Sequence, residues 1–372
     1  MEEFLANVRA CAPEYSPLHD MKDEEILNSK RCARDDQGAG IVSLNLASLS
    51  LMDVPESISS LVSLTSLCLS ANGLKSLPES ISQLSSLHML LLDNNLFHEI
   101  PTSIRSMKSL RHLDLSRNKL GDCDAVSLHL DSLELLDLSG NTKMTRVCSD
   151  IFHLPRIKQI DLHSCALIEV PKAIGHATLL ERISLHSNEL THVPSEIGQC
   201  QNLTWLSLNS NKLESISSSI GRLTKLTRLS LHINALRTVP DELSQCVHLE
   251  ALSLHSNCLE SLPDSLSNLK ECERLSLYHN PTLGCIPDGV CHMTQLKELW
   301  LYDCGIHEVN PNIGFVNLLQ KLWLDRNPIT KLPESMKKLT MLQELYLDQT
   351  QVEREDVEHI TASMHNLKTL AY

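Results

Sequence analysis

The sequence predicts an α/β solenoid in which one short unit is repeated along the chain. The hexapeptide LSLHSN at 252–257 returns as ISLHSN from Ile183 and as LSLHIN from Leu229. Aromatic residues make up only 3% of the 372 residues, whereas apolar residues reach 42%. An aliphatic core of this kind suits thin repeated layers, because each unit buries its apolar face only against its neighbours.

The spacing of the repeat defines the fold class. Aligned on LxxLxLxxNxL, the pattern of a leucine-rich repeat, the chain matches fourteen times in succession with a step of 23 residues and single insertions before Ile157 and Leu296. The first apolar positions are Ile41, Leu64, Leu87, Leu110, Leu133, Ile157, Leu180, Leu203, Leu226, Leu249, Cys272, Leu296, Leu319 and Leu342. We predict a horseshoe-shaped leucine-rich repeat solenoid with a parallel concave sheet of about 14–15 strands and an irregular or short-helical convex side.

Each position of the motif has a predicted role. Alternation along a strand sends Leu252 and Leu254 into the core and places Ser253 and His255 on the concave face. An asparagine follows the strand in ten of the fourteen repeats, and its amide can bond backbone groups that the turn leaves unpaired. These asparagines are Asn72, Asn95, Asn118, Asn141, Asn188, Asn211, Asn234, Asn257, Asn280 and Asn327, with Cys165 and Cys304 in the same slot of two further repeats.

Both ends of a solenoid need caps that cover the outermost apolar layers. Residues 1–40 predict a helical N-terminal cap, with a first helix that carries Phe4, Leu5, Val8 and Cys11 and a second short helix over 23–32. The repeats occupy 41–350, and 351–372 predict a helical C-terminal cap that runs into a final strand. Either the natural protein ends on that strand, or more sequence follows Tyr372.

Charge and cysteine usage restrict the class of protein. A net charge of -14 argues against nucleic acid or an anionic membrane surface as the main partner. No apolar run approaches the length of about 18 residues that spans a bilayer. Thirteen cysteines without a CxxC motif or a secretory leader favour a reducing, cytoplasmic location. No nucleotide-binding, zinc-protease or serine-hydrolase motif is present, so we expect a non-enzymatic monomer without a cofactor.

The variable strand positions, compared from repeat to repeat, indicate where a partner binds. All three tryptophans fall on the predicted concave face, and the aromatic side chains concentrate in the last four repeats. Trp, Tyr and Arg are enriched at energetic hot spots of protein interfaces, so we predict a protein-binding surface. The predicted binding residues are Trp300, Trp323, Tyr346, Tyr302, Tyr278, Trp205, Arg182, Arg228, Arg274, His163, His186, His232, His255 and His279.

Three interpretations of the histidine column remain open. The pairs His163 with His186 and His232 with His255 have the spacing to share a metal ion, although no third ligand stands beside them. Histidine also suits pH-dependent binding. The third interpretation is a duplication that copied a histidine engaged only in ordinary polar contacts. A column of aspartates, Asp114, Asp137 and Asp161, is interpreted as a rim that meets a basic partner rather than as a cation site.

The convex segment xxLPxxIxxLxxL with its 23-residue period, over residues 41–350, resembles the cytosolic leucine-rich repeat proteins of the Ras-scaffold and Ras-suppressor type. The resemblance implies a non-enzymatic scaffold or adaptor in signal transduction, which binds small GTPases or phosphatases on its concave face. The repeats that begin at 110, 133 and 203 depart from the family pattern because they lack the LP step. The alternative function is the substrate-recognition arm of a ubiquitin ligase or kinase whose catalytic part lies beyond Tyr372.

Overall fold

The computed structural model describes residues 2–26, 31–35, 40–122 and 127–372. The chain divides into two compact units, unit 1 at Met1–Ser184 and unit 2 at Leu185–Tyr372. Each unit is a leucine-rich repeat solenoid of the α/β class, with one short strand and one short helical segment in most repeats.

Unit 1 contains helices α1 (Glu2–Ala10) and α2 (Asp23–Ile26) and eight described strands. The strands are β1 (Cys32–Arg34), β2 (Ile41–Asn45), β3 (Ser66–Cys68), β4 (Met89–Leu91), β5 (His112–Asp114), β6 (Leu135–Asp137), β7 (Gln159–Asp161) and β8 (Arg182–Ser184). Strands β2 to β8 are parallel neighbours in chain order, whereas β1 is antiparallel to β2. Its 3-10 helices are Pro17–His19, Glu56–Ser60, Glu79–Gln83, Thr102–Ile104, Ser149–His153 and Lys172–His176.

Unit 2 contains eight strands that are parallel neighbours in chain order. They are β9 (Trp205–Ser207), β10 (Arg228–Ser230), β11 (Ala251–Ser253), β12 (Arg274–Ser276), β13 (Glu298–Trp300), β14 (Lys321–Trp323), β15 (Glu344–Tyr346) and β16 (Thr369–Ala371). The helices are α3 (Asp288–Cys291) and α4 (Arg354–Thr361), and the 3-10 segments are Ser195–Gln199, Ser218–Arg222, Asp241–Gln245, Asp264–Asn268, Pro311–Phe315 and Glu334–Lys338.

The register pairs equal motif positions on neighbouring strands. Leu229 lies opposite Leu252, and Leu252 lies opposite Leu275. All three leucines are at most 1% exposed, so each layer of the core stacks on the next. The motif positions that point away from the core are aligned in the same way, and this alignment turns the columns of the sequence into rows on the outer face of the sheet.

The turn that recurs in each repeat is held by an asparagine that bonds two successive repeats. Asn257 accepts a hydrogen bond from the amide of Leu236 at 3.0 Å and donates to the carbonyls of Leu231 at 3.1 Å and Leu254 at 2.9 Å. In one repeat without asparagine, Cys304 donates its thiol to the equivalent carbonyl of Leu277 at 3.3 Å. The side chain therefore satisfies buried backbone groups, whose loss would cost about 1–3 kcal/mol each.

The convex side is built from the short 3-10 segments. Pro194 precedes one of them in an extended conformation, and Ile197 within it is 3% exposed and packs into the core. Neighbouring segments approach closely at Gly198, where an added Cβ would lie 2.6 Å from the carbonyl oxygen of Ser219. A larger side chain would push the two segments apart.

The N-terminal cap differs from the prediction in one element. In α1, Phe4, Leu5 and Val8 are buried, at most 3% exposed. The second predicted helix is present only as α2, residues 27–30 lie outside the described residues, and Cys32 belongs to β1 instead of a helix. The backbone N–H and C=O groups at the edge of β2 need partners, and an antiparallel strand provides them.

The strand count is therefore higher than predicted. Among the described residues there are eight strands in each unit. The repeats and the final segment together predicted about 14–15 strands for the two units. The additional strand is β1, which the cap contributes. At the other end, α4 and β16 lie in the range where the sequence predicts a helical cap that runs into a final strand.

The residue before each turn asparagine has a positive φ, and in one repeat this residue is isoleucine. Ile233 has a φ of 54° and its side chain is 50% exposed. A β-branched residue is strained in the left-handed region, whereas asparagine adopts this conformation readily and occupies it at Asn94.

We expect Ile233→Asn to raise the free energy of unfolding by about 1 kcal/mol, because it removes this strain and loses little buried surface. Urea denaturation monitored by circular dichroism measures the change. Ile233→Val keeps the β-branch and should give no gain. An Ile233→Asn protein no more stable than the Val control would show that the left-handed isoleucine carries no cost.

Candidate functional site

The outer face of the sheet in unit 2 carries two rows of stacked rings. The first row consists of Trp300, Trp323 and Tyr346, which lie directly opposite one another on β13, β14 and β15. The ring centroids of the two tryptophans are 5.1 Å apart, and those of Trp323 and Tyr346 are 5.5 Å apart with an angle of 3° between the ring planes. These separations are close to the strand spacing of about 4.8 Å, so the register itself produces the stack.

The second row lies two residues further along each repeat. It contains His232, His255, Tyr278 and Tyr302, with successive centroid distances of 4.3, 4.0 and 4.3 Å. Alternation along the strand puts both rows on the same face. We call Tyr278, Trp300, Tyr302, Trp323 and Tyr346 the aromatic patch; all five are half-buried.

The histidines in the second row are held in the neutral form. Burial lowers the pKa of His232, and its Nδ1 atom is buried without a hydrogen-bond partner. Burial, followed by the nearby His232 and His279, lowers the pKa of His255 to about 4. A neutral imidazole packs on its neighbours as a flat, weakly polar ring, so these two histidines extend the aromatic row at neutral pH.

His279 occupies a different place from the other predicted histidines. Its φ of 54° puts it in the turn after Tyr278, and its ring meets Tyr302 edge-on with centroids 5.0 Å apart. Its Nδ1 atom lies 2.6 Å from Oδ2 of Asp303. His279 therefore borders the aromatic patch but does not belong to either stacked row.

Charged groups flank the first row on both sides, and the two sides differ. On one side Lys321 lies between Glu298 and Glu344, with Nζ to carboxylate distances of 3.5 and 3.7 Å, and its Nζ is 5.9 Å from the centroid of the Trp323 ring. On the other side, Asp325 and Asp348 have no ion-pair partner among the described residues. We call these two aspartates the acidic margin.

The acidic margin was not among the binding residues that the sequence predicted. Desolvation raises the pKa of Asp325 and the like charge of Asp348 adds to this effect, whereas a backbone hydrogen bond and the charges of Arg326 and His279 oppose it. Their motif position could have indicated them, because both aspartates occupy the same motif position as His232 and Tyr302 in the repeats that follow.

The remaining predicted binding residues are distributed over both units. His163 and Arg182 lie in unit 1, whereas His186 lies in unit 2, half-buried, with its Nδ1 atom 3.1 Å from the hydroxyl of Ser187. Trp205 is half-buried on β9. Arg228 and Arg274 are exposed on β10 and β12, at the position that Lys321 occupies on β14.

Two polar columns have structural roles that the sequence did not reveal. Ser207 is only 3% exposed and donates a hydrogen bond to Asn209 at 2.7 Å, so it is buried although its motif position points to the outer face. In unit 1, Asp114 and Asp137 each accept a hydrogen bond at 2.8 Å from the backbone amide two residues further on. Desolvation raises the pKa of Asp114, and the like charges of Asp137 and Asp93 raise this pKa further.

Metal binding has no support from side-chain grouping in the described ranges. No cluster of three or more His, Cys, Asp or Glu side chains is placed there to hold a metal ion. Cys272 and Cys304 are fully buried, and burial raises the pKa of each thiol to about 12, so both are protonated core residues. Across 2–26, 31–35, 40–122 and 127–372, no helix has the length and apolar character required to cross a membrane.

Comparison with known proteins identifies the class. The sequence matches the family model for leucine-rich repeats over residues 62–120, 178–236 and 224–281. The fold is similar to that of a leucine-rich repeat protein of Leptospira interrogans, with 27% identity, a TM-score of 0.70 and coverage of 88% of this chain and 95% of that chain. The chain therefore contains leucine-rich repeats and has the leucine-rich repeat fold.

Two further structures share this fold. An internalin from Listeria monocytogenes has 19% identity and a TM-score of 0.68, with coverage of 99% of this chain and 94% of that chain. The Toll–Spätzle complex of Drosophila has 23% identity and a TM-score of 0.65, with coverage of 86% of this chain and 42% of that chain. No curated protein matches the sequence significantly.

We expect the stability of the protein to fall as the pH drops from 6.5 towards 4, in part because of His255. In the unfolded chain this histidine binds a proton below about pH 6.5, whereas in the folded protein its pKa is about 4. Protons then favour the unfolded state. His255→Tyr, which extends the tyrosines of the row, should remove about 1 kcal/mol of the loss, after allowance for solvent screening at a half-exposed site.

Urea denaturation of both proteins at pH 7 and pH 4.5 measures this difference. His248→Tyr is a control, because His248 is an exposed residue that pairs with Glu271. An identical loss of stability in wild type and His255→Tyr would contradict the buried, neutral state of His255.

Proposed function

We propose that this chain is a non-enzymatic scaffold that binds a signalling protein through the aromatic patch of unit 2. The leucine-rich repeat fold generally serves protein–protein interaction, and proteins with this domain are typically non-catalytic interaction modules. One of the structures with this fold is a protein complex, that of Toll with Spätzle. A small GTPase, the partner class that the resemblance implies, is one candidate for this surface.

The observation that carries the proposal is the placement of the aromatic side chains. The chain has three tryptophans and five tyrosines, and five of these eight residues form the aromatic patch. The core is mainly aliphatic, with Phe97 and Phe152 as its largest fully buried side chains, and in the described part of the chain it contains no tryptophan or tyrosine. Large rings that are half-buried on an outer face add little to folding, yet the same rings contribute strongly when a partner buries them fully.

The chemistry around the patch supports a protein ligand. Charged side chains border the rings on both sides, as expected for the polar rim of an interface around a less polar centre. The cysteines of the described residues are free, including the exposed Cys258 and Cys285. This supports a cytoplasmic location, where thiols stay reduced.

We expect Trp300→Ala combined with Trp323→Ala to abolish capture of the partner while the protein stays folded. The double variant removes the centre of the patch and leaves the leucine core unchanged. Each lost hot-spot ring should reduce the free energy of binding the partner by about 2 kcal/mol or more. Affinity capture from native lysate with immobilised wild type and variant, followed by mass spectrometry, measures the loss.

The matched control is Phe315→Ala, which removes an exposed aromatic ring from a 3-10 segment outside the patch. The control should retain every species that the wild type captures. Circular dichroism and thermal denaturation verify folding. A folded double variant that captures the same species as the control would exclude the patch as the binding surface.

A further inference from the structure

The row of Trp300, Trp323 and Tyr346 ends at a small residue on each side. Ser276 lies opposite Trp300 on β12, and Ala371 lies opposite Tyr346 on β16. The methyl group of Ala371 cannot cover an aromatic ring, and no ring of the described residues is stacked on the outer face of Tyr346. This ring face is the natural place for a group from a partner to extend the row.

The surroundings of that ring face are acidic. Asp348 lies two residues after Tyr346 on the same repeat and is exposed, and Asp325 occupies the equivalent position of the preceding repeat. Glu344 lies two residues before Tyr346 and shares Lys321 with Glu298, so two carboxylates there have one cation between them. With the two aspartates of the acidic margin included, carboxylates outnumber cations around the row.

The protein itself shows which group suits an aromatic ring with carboxylates beside it. Lys321 is held by two glutamates and lies near the Trp323 ring, which combines ion pairing with cation–π attraction. The side of the row at Asp325 and Asp348 has the carboxylates and the rings, and the charge of Arg326 acts on Asp325, but within the described residues no side chain forms an ion pair with either aspartate.

We propose that the acidic margin and the outer face of Tyr346 form a site for an arginine side chain on an extended, basic segment of the partner protein. The inference rests on the proposed function and specifies the chemistry of the partner at that surface. The guanidinium is planar, stacks on aromatic rings and forms paired hydrogen bonds with carboxylates, so it matches both components of the site.

Two further observations agree with a basic partner. Desolvation raises the pKa of the half-buried Asp325 even though the charges of Arg326 and His279 act to lower it, so a guanidinium would stabilise the charged form further. The net charge of -14 attracts a basic segment at long range and speeds its association.

The test uses a fluorescein-labelled Gly/Ser peptide with arginine at every other position, which places all arginines on one side of an extended chain. Fluorescence anisotropy with the full chain should show saturable binding that weakens as salt is added. Asp325→Asn with Asp348→Asn should weaken binding about tenfold or more, since it removes both charges and keeps the shape of the site. Tyr346→Ala should weaken binding as well.

The matched control is Asp241→Asn with Asp264→Asn, which changes the net charge equally at two exposed residues of the 3-10 segments. This variant should bind the peptide like wild type. Equal weakening in both double variants, or equal binding of a peptide with glutamate in place of arginine, would overturn the proposal.

The same variants separate this inference from the proposed function. If Trp300→Ala with Trp323→Ala loses the captured partner while Asp325→Asn with Asp348→Asn retains it fully and binds the arginine peptide like wild type, the scaffold function stands and the arginine site is wrong. If the tryptophan variant also retains the partner, the proposed function fails instead.

Discussion

The fold depends on hydrogen bonds that an asparagine makes to two repeats at once. The side-chain NH2 group of Asn257 donates hydrogen bonds to a carbonyl of its own repeat and to one of the preceding repeat. Its side-chain oxygen accepts a hydrogen bond from a backbone amide of the preceding repeat. A side chain that bonds both repeats fixes their relative position along the strands. The leucines fill the layers, but apolar contact has no direction and could not set this position alone.

The aromatic patch is a consequence of that fixed register. Because Trp300, Trp323 and Tyr346 share one motif position, the register lines up their rings without any contact that is special to them. The same is true of His255 and Tyr278, where the short centroid distance accompanies a pKa of about 4 for the histidine. Stacking, burial and neutrality thus follow from one geometric constraint.

The sequence was sufficient to predict whatever is periodic. The inward leucines, the turn asparagines and the rows of aromatic residues all follow from a motif whose positions repeat every 23 residues. The strand β1 was missed because it lies outside the repeat and is only three residues long, too short to show alternation. The burial of Ser207 could not be predicted from the motif, because Ser253 occupies the same motif position and is only half-buried.

The pKa shifts and the acidic margin also escaped prediction, for a related reason. Both depend on which charged groups lie near one another and on how far water reaches them. The aligned sequence of the repeats gives neither the distances nor the exposure. Asp325 and Asp114 both have pKa values raised by desolvation, but the charges of Arg326 and His279 act on Asp325, whereas Asp137 and Asp93 act on Asp114. Only coordinates show which charged groups surround each carboxylate.

The change from Ser276 to Trp300 between adjacent strands has a further consequence. A periodic surface offers a ligand the same spacing at every repeat, so a ligand that spans several strands could shift by one repeat at little cost. The first tryptophan breaks this equivalence. A ligand that fits against this tryptophan would bind in one alignment along the repeats and not in the alignments shifted by one repeat.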